Sequence, residues 1–206
     1  MSARNWMRIS LGGLAAAAAL SACTTPAAAP PTPAVTAKGS PTSTATATAH
    51  NAADTMFAQM MILHHQGAIE MADLAVEKAQ APEVKALAQT ISAAQGPEIE
   101  TMTNWLTSWG ENPSPSPSGM PSMGHPGMDM HGMSQEEVMA QLEGLTGTEF
   151  DRQFLTSMIA HHEGAVTMAQ TELAQGKNPD ALALAQKIIN DQQAEIVKMT
   201  DMHASL

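Results

Sequence analysis

Residues 61–72 read Met-Ile-Leu-His-His-Gln-Gly-Ala-Ile-Glu-Met-Ala, and residues 158–169 read Met-Ile-Ala-His-His-Glu-Gly-Ala-Val-Thr-Met-Ala. The two stretches stand 97 positions apart, and the same offset holds on both sides of them. Upstream, Asp54 and Phe57 fall on Asp151 and Phe154. Downstream, Ala86-Leu87-Ala88-Gln89, Ile91, Gln95, Glu98, Ile99 and Met102 fall on Ala183-Leu184-Ala185-Gln186, Ile188, Gln192, Glu195, Ile196 and Met199. Matches of this density at one fixed offset, with no gap, point to duplication of a two-segment unit.

Both segments read as helices. Apolar residues recur three and four apart, Ala, Gln, Glu and Met abound, and β-branched runs are few. Asn51 with Asp54, and Thr148 with Asp151, have N-cap and N3 spacing at matching starts. Pro82 and Pro179 stand where the second helix of each unit should begin, a position that tolerates proline. Each half is therefore a helical hairpin, over residues 50–109 and 148–206. One hairpin cannot bury its apolar stripe alone; two can, so the expected fold is all-α, a four-helix bundle made from the two repeats. Gly96-Pro97 is expected to interrupt the second helix, because proline removes a donor and crowds the preceding turn. Its counterpart, Gln193-Ala194, should run straight.

Between the repeats, residues 110–133 are rich in Pro, Ser, Gly, Met and His and contain little that could form a core. Residues 134–147 add a short helix and turn: Ser134 and Glu137 have capping-box spacing, Val138, Met139 and Leu142 make a stripe, and Gly144 ends it.

Within each repeat, about 100° per residue sets His64 and His65 on either side of the inward seam marked by Met61. Met61 lies three and four residues before the two histidines, on neighbouring turns, as Met158 does for His161 and His162. His64 and Met71 share a direction but stand about 10 Å apart along the axis. Met71 therefore needs a partner from another helix, and Met102 is the expected one, with Met168 and Met199 as the mirror pair. Methionine at helical spacing is commonly core filler. Paired imidazoles are harder to explain that way, since each buried nitrogen demands a partner.

The linker supplies further donors. Met120, Met123, His125, Met128, Met130, His131 and Met133 crowd together in a segment where packing cannot be their purpose. Thioether and imidazole together favour Cu(I) or Ag(I), while imidazole alone also suits Cu(II), zinc and nickel. The chain as a whole carries 17 Met and 8 His against no Tyr and three Phe. Its lone Cys leaves no thiol pair for a soft metal.

The amino terminus accounts for that cysteine. Arg4 and Arg8 precede a short apolar run, Ile9 to Leu20, which is too short to span a bilayer and reads as a signal peptide over residues 1–22. Leu20-Ser21-Ala22-Cys23 resembles the lipobox of bacterial lipoproteins, which implies lipidation at Cys23 and membrane attachment through that lipid. Residues 23–49, nearly all Thr, Ala, Pro and Ser, read as a disordered tether. The expected location is outside the cytoplasm, anchored to the cell envelope on its periplasmic or outer-surface face. A net charge of −11 argues against nucleic acid as a partner.

The two histidine segments, with the trailing Gln95, Glu98-Ile99, Met102 and Gln192, Glu195-Ile196, Met199, resemble the DUF305 family. The resemblance extends from about residue 51 to the carboxyl terminus, linker excluded. It implies a ferritin-like helical bundle in an exported protein. Members resembling CopM bind copper and silver, which implies His64, His65, Met71, His161, His162 and Met168 as ligands. The family commonly places proline before the histidine pair, where this chain has Leu63 and Ala160.

The expected function is copper binding, as Cu(I) above Ag(I) or Cu(II), for sequestration, transfer to or from a partner protein, or resistance, without catalysis. Two alternatives stand beside it. An envelope scaffold would use the metal structurally. A ferritin-like di-iron oxidase would need Glu three residues before a ligating His on two helices, and Met61, Ile62, Met158 and Ile159 occupy those places. Glu70, aligned with Thr167, reads as solvated, and His50 and His203 lie at the margins of the fold.

Overall fold

The computed structural model describes residues 49–114 and 132–206, and the signal peptide, Cys23, most of the tether and linker residues Met120, Met123, His125, Met128, Met130 and His131 lie outside them. The described chain is all-α, with five helices and no strand: α1 Ala52–Lys78, α2 Pro82–Trp109, α3 Gln135–Glu143, α4 Gly147–Gln175 and α5 Pro179–Ser205. None of them is long and apolar enough to cross a membrane. α1 packs on α2 and α4 on α5, forming the two expected hairpins, and the hairpins meet through α1 and α4.

Local signals explain most boundaries. Asn51 caps α1 through a full capping box, accepting from the backbone N–H groups of Ala53 and Asp54 while Asp54 accepts from Asn51 N at 2.6 Å. Pro82 and Pro179 open α2 and α5, where the first backbone N–H would have no helical acceptor. Ser134 and Glu137 form the reciprocal box of α3, Gly144 closes it, and Val138 and Leu142 are buried beneath it.

Two boundaries differ from expectation. α4 begins at Gly147, with Thr146 at the N-cap position but making no side-chain cap bond, so Thr148 lies inside the helix. Gly147 takes φ of +64°, a left-handed conformation glycine enters without steric cost, and this turns the chain into α4 two residues early. Gly96-Pro97 does not break α2, which continues from Pro82 to Trp109. The carbonyl deprived of its partner belongs to Ala93, which is exposed, so water can satisfy it while both flanking segments stay packed on α1.

The aligned aspartates do more than begin helices. Asp54 Oδ1 accepts from the backbone N–H groups of Lys177 at 2.9 Å and Asn178 at 2.8 Å, in the turn between α4 and α5. Asp151 accepts from those of Gln80 at 2.9 Å and Ala81 at 2.8 Å, in the turn between α1 and α2. Each repeat's first helix thus closes the turn of the other repeat, and the four contacts obey the 97-residue offset. α3 breaks this symmetry. It lies over the end of α1, where Lys78 Nζ donates to the carbonyls of Leu142 and Glu143 and Gln135 donates to that of Gly67.

Candidate metal centre

At the crossing of α1 and α4 the two histidine pairs come together. His64, His65, His161 and His162 are all buried, and the rings of His64 and His161 lie 3.6 Å apart between centroids. The structure thus gathers four imidazoles from positions 97 residues apart.

Two carboxylates that the repeat aligns, Glu98 and Glu195, stand beside them. His65 Nε2 meets Glu98 Oε2 at 2.8 Å, and His162 Nε2 meets Glu195 Oε2 at 2.6 Å. Glu98 also accepts from Lys187 Nζ at 2.9 Å, which ties α2 to α5. The signal was available: the histidine-to-glutamate separation is 33 residues in both halves. Gln95 and Gln192 are buried one turn before these glutamates on the same helices.

Burial, ahead of the nearby charges, holds the pKa of His65 below the ordinary histidine value, and burial followed by the charge of His64 holds that of His161 well below it. Glu98 is kept ionised because its hydrogen bonds to His65 and Lys187 outweigh the desolvation that would raise its pKa. A neutral His65 that donates Nε2–H to a carboxylate leaves its lone pair on Nδ1. The Nδ1 atoms of His65 and His162 are both buried without a hydrogen-bond partner. An uncompensated buried nitrogen is costly, and a cation is one group that would satisfy it.

The methionines divide differently from expectation. Met61 and Met102 share one buried cluster, and Met158 and Met199 share the other. Met71 lies in the second cluster and Met168 in the first, so neither the Met71–Met102 pair nor its Met168–Met199 mirror forms. The register set by His65 and Glu98 explains this. Met71 lies six residues beyond His65 on α1 and Met102 four beyond Glu98 on the antiparallel α2, which separates them by about 15 Å along the hairpin. The same register brings Met102 level with Met61. Met71 is fully buried in the same cluster as Phe150, Phe154 and Leu142. Met133, expected to be exposed, packs against that same cluster.

The remaining sequence candidates lie away from the centre. Glu70 is exposed and accepts from Gln135, and His50 stacks on Trp109 with 4.5 Å between ring centroids. Among the described residues no three His, Cys, Asp or Glu side chains form a metal-binding group.

The model of DUF305, a domain of unknown function, matches residues 54–203. The chain belongs to the DUF305 family. Solved structures similar to it include a putative secreted DUF305 protein from Streptomyces coelicolor, at 31% identity and a TM-score of 0.66 over 74% of this chain and 91% of that one. A DUF305 fragment from Deinococcus radiodurans is 32% identical with a TM-score of 0.65, over 76% and 98% of the two chains. CopM in its Cu(II)-bound form is 37% identical with a TM-score of 0.61, over 74% and 96%. CopM structures with Cu(I) and with Ag bound are also similar to this chain. No curated protein matches it. Metal binding within this family thus has structural precedent in CopM.

Proposed function

We propose that this DUF305 protein is an exported copper-binding protein, anchored through Cys23, that holds Cu(I) as cargo at two symmetry-related sites in a ferritin-like four-helix bundle. The observation that carries the reading is the pair of buried, unpartnered Nδ1 atoms on His65 and His162, each ring oriented by a carboxylate on its other nitrogen. A histidine held in this way by an acidic partner is a common arrangement of metal-ligating imidazole.

In this reading, His65 with Met61 and Met102 forms one donor set, and His162 with Met158 and Met199 the other. His64 and His161 stand between them. Imidazole with two thioethers is a soft, uncharged set suited to Cu(I) or Ag(I) and poorly suited to zinc or magnesium. Glu98 and Glu195 orient the rings and balance the added charge from the outer side. Nothing in the centre requires turnover, and the role is sequestration or transfer.

The test is anaerobic Cu(I) titration of the full chain against a competing chelator, beside a variant with His64, His65, His161 and His162 changed to alanine. Strong binding that falls in the variant is expected. Equal binding by the two proteins would remove the centre from the function, and absence of competitive binding by the native chain would favour the scaffold alternative.

A further inference from the structure

The repeat is not symmetric at its two ends. At the junction of the α1 carboxyl end with the start of α4, α3 closes the core: Val138 and Leu142 pack there with Ala75, Phe150 and Phe154, and Lys78 bonds to the end of α3. The related junction joins the start of α1 to the end of α4. There, Ala75, Lys78 and Phe154 are replaced by their 97-residue counterparts Glu172, Gln175 and Phe57. No second α3 covers this end among the described residues. A cavity of ≈ 340 Å³ opens in its place.

Three thioethers line that cavity: Met56 and Met60 from α1 and Met168 from α4. Met56 and Met60 are four residues apart and so neighbour each other on one face. Met60 and Met168 are nearly buried, at 4% and 8% exposure, whereas Met56 is 39% exposed and stands where an ion would enter. Glu172 lines the same space. Met60 and Met168 belong to the buried core, yet with Met56 they border a cavity that packing leaves unfilled. The duplication does not account for this set: the counterparts of Met56 and Met60 are Gln153 and Ser157, which hydrogen-bond to each other at 3.1 Å.

We propose that Met56, Met60 and Met168 form a separate all-thioether site for a soft monovalent cation, Cu(I) or Ag(I), at the end of the bundle opposite α3. Three uncharged sulfur donors select such an ion over harder divalent cations. The site uses no histidine and, among the described residues, opens to solvent through Met56, so it is distinct from the buried histidine centre. It shares with the proposed function only the supposition that soft metal reaches this protein.

The test is a silver titration of the full chain labelled with ¹³C at the methionine methyl groups, resonances being assigned by single Met→Leu substitution. Silver(I) is diamagnetic and needs no reductant. The methyls of Met56, Met60 and Met168 are expected to shift together and saturate with one equivalent. They should do so both in the native chain and in the variant lacking His64, His65, His161 and His162. The Met56→Leu/Met60→Leu variant, whose packing volume is conserved, should bind one equivalent fewer with the histidines intact, which keeps the test open if the histidine variant fails to fold. Unmoved pocket methyls would overturn the proposal. If Met61 and Met102 shift in that case, the histidine centre survives; if no methyl moves, both fail. Pocket shifts that vanish with the histidines would overturn the separateness of the site.

Discussion

The ring of His64 stands 3.6 Å from that of His161, its counterpart in the repeat, so the duplication places like groups against each other at the crossing of α1 and α4. Such a contact is tolerable while the rings are neutral, and burial keeps His65 and His161 below the ordinary histidine pKa. In the unfolded chain these histidines take up protons below about pH 6.5. The unfolded state then binds more protons than the folded one, so stability falls with pH through that window. Metal-free protein carrying His161→Leu should therefore lose less stability between pH 7.5 and 5.5 than the native chain, by up to about 1.4 kcal/mol. Urea midpoints at the two pH values measure it, and equal losses would contradict the assignment.

Glu172 titrates in the opposite sense. Burial, and then the neighbouring Asp54 carboxylate, push its pKa up to about 8 from an ordinary 4.5. The folded state holds this proton where the unfolded state has released it, so the associated stability is present below pH 4.5 and is lost as pH rises towards 8. Glu172→Gln keeps the neutral form at every pH. The variant's advantage over the native chain should grow between pH 5.5 and pH 8.5, by on the order of 3 kcal/mol. A constant difference between the two proteins across that range would show that the carboxyl is ionised throughout.

The hairpins and the histidine centre were legible because a duplicated sequence states its own register: one offset fixes which residues correspond. The reciprocal turn closure by Asp54 and Asp151 was less legible. Capping spacing identified both aspartates, but their acceptor atoms reach turns more than 60 residues away, and helical periodicity carries no information on how hairpins dock. For the same reason Met71 was assigned to Met102: a wheel gives direction around one helix but not height against its neighbour. Height came from the His65–Glu98 contact.

The turn closures give the third prediction. Asp151→Ala strips both acceptors from the N–H groups of Gln80 and Ala81, and Ala81 has no side-chain cap of its own. A loss of about 1–3 kcal/mol is expected in chemical denaturation. Asp54→Ala should cost a similar amount in part through the α1 capping box, while Asn178 still caps α5 through its own side chain. Hydrogen exchange separates the two: Asp151→Ala should expose the amides at the start of α2, and Asp54→Ala those of Lys177 and Asn178. Exposure at the same turn in both variants would refute the reciprocal arrangement.

The carboxylates behind the rings give the fourth. Glu98→Gln and Glu195→Gln retain a hydrogen-bonding group beside His65 and His162 but remove the charge that holds each ring's proton on Nε2. Losing such a partner costs roughly 10–100-fold in metal affinity. Each variant should show that loss at one of two Cu(I) equivalents, with helicity unchanged by circular dichroism. The effects should differ in one respect, because Glu98 also receives Lys187 and its removal leaves that ammonium with Asp191 alone. Stability should therefore fall further in Glu98→Gln than in Glu195→Gln. Unchanged Cu(I) affinity in both would argue against Nδ1 as the ligating atom.

Proline at position 97 offers a test of how tertiary packing overrides a local signal. A proline inside a helix costs about 3 kcal/mol through its missing donor and the clash with the preceding turn, yet α2 runs through it. The cost is therefore carried by the packing of α2 on α1, where Ile91 and Met102 are buried on either side of the proline. Because Pro97 is itself exposed, Pro97→Ala removes no buried contact and restores a donor to the carbonyl of Ala93. Part of the gain is offset by the greater freedom of the unfolded chain, worth about 0.4–1 kcal/mol. Pro97→Ala should thus raise stability by roughly 1–2 kcal/mol, read from urea denaturation of metal-free protein. Its effect on the histidine centre is the more telling measurement. Glu98 follows the proline directly and meets His65 only if the turn at 97 has its present pitch. Higher stability with unchanged Cu(I) affinity would make the proline a tolerated defect, whereas higher stability with weaker binding would show that the strained turn aims Glu98 at its histidine.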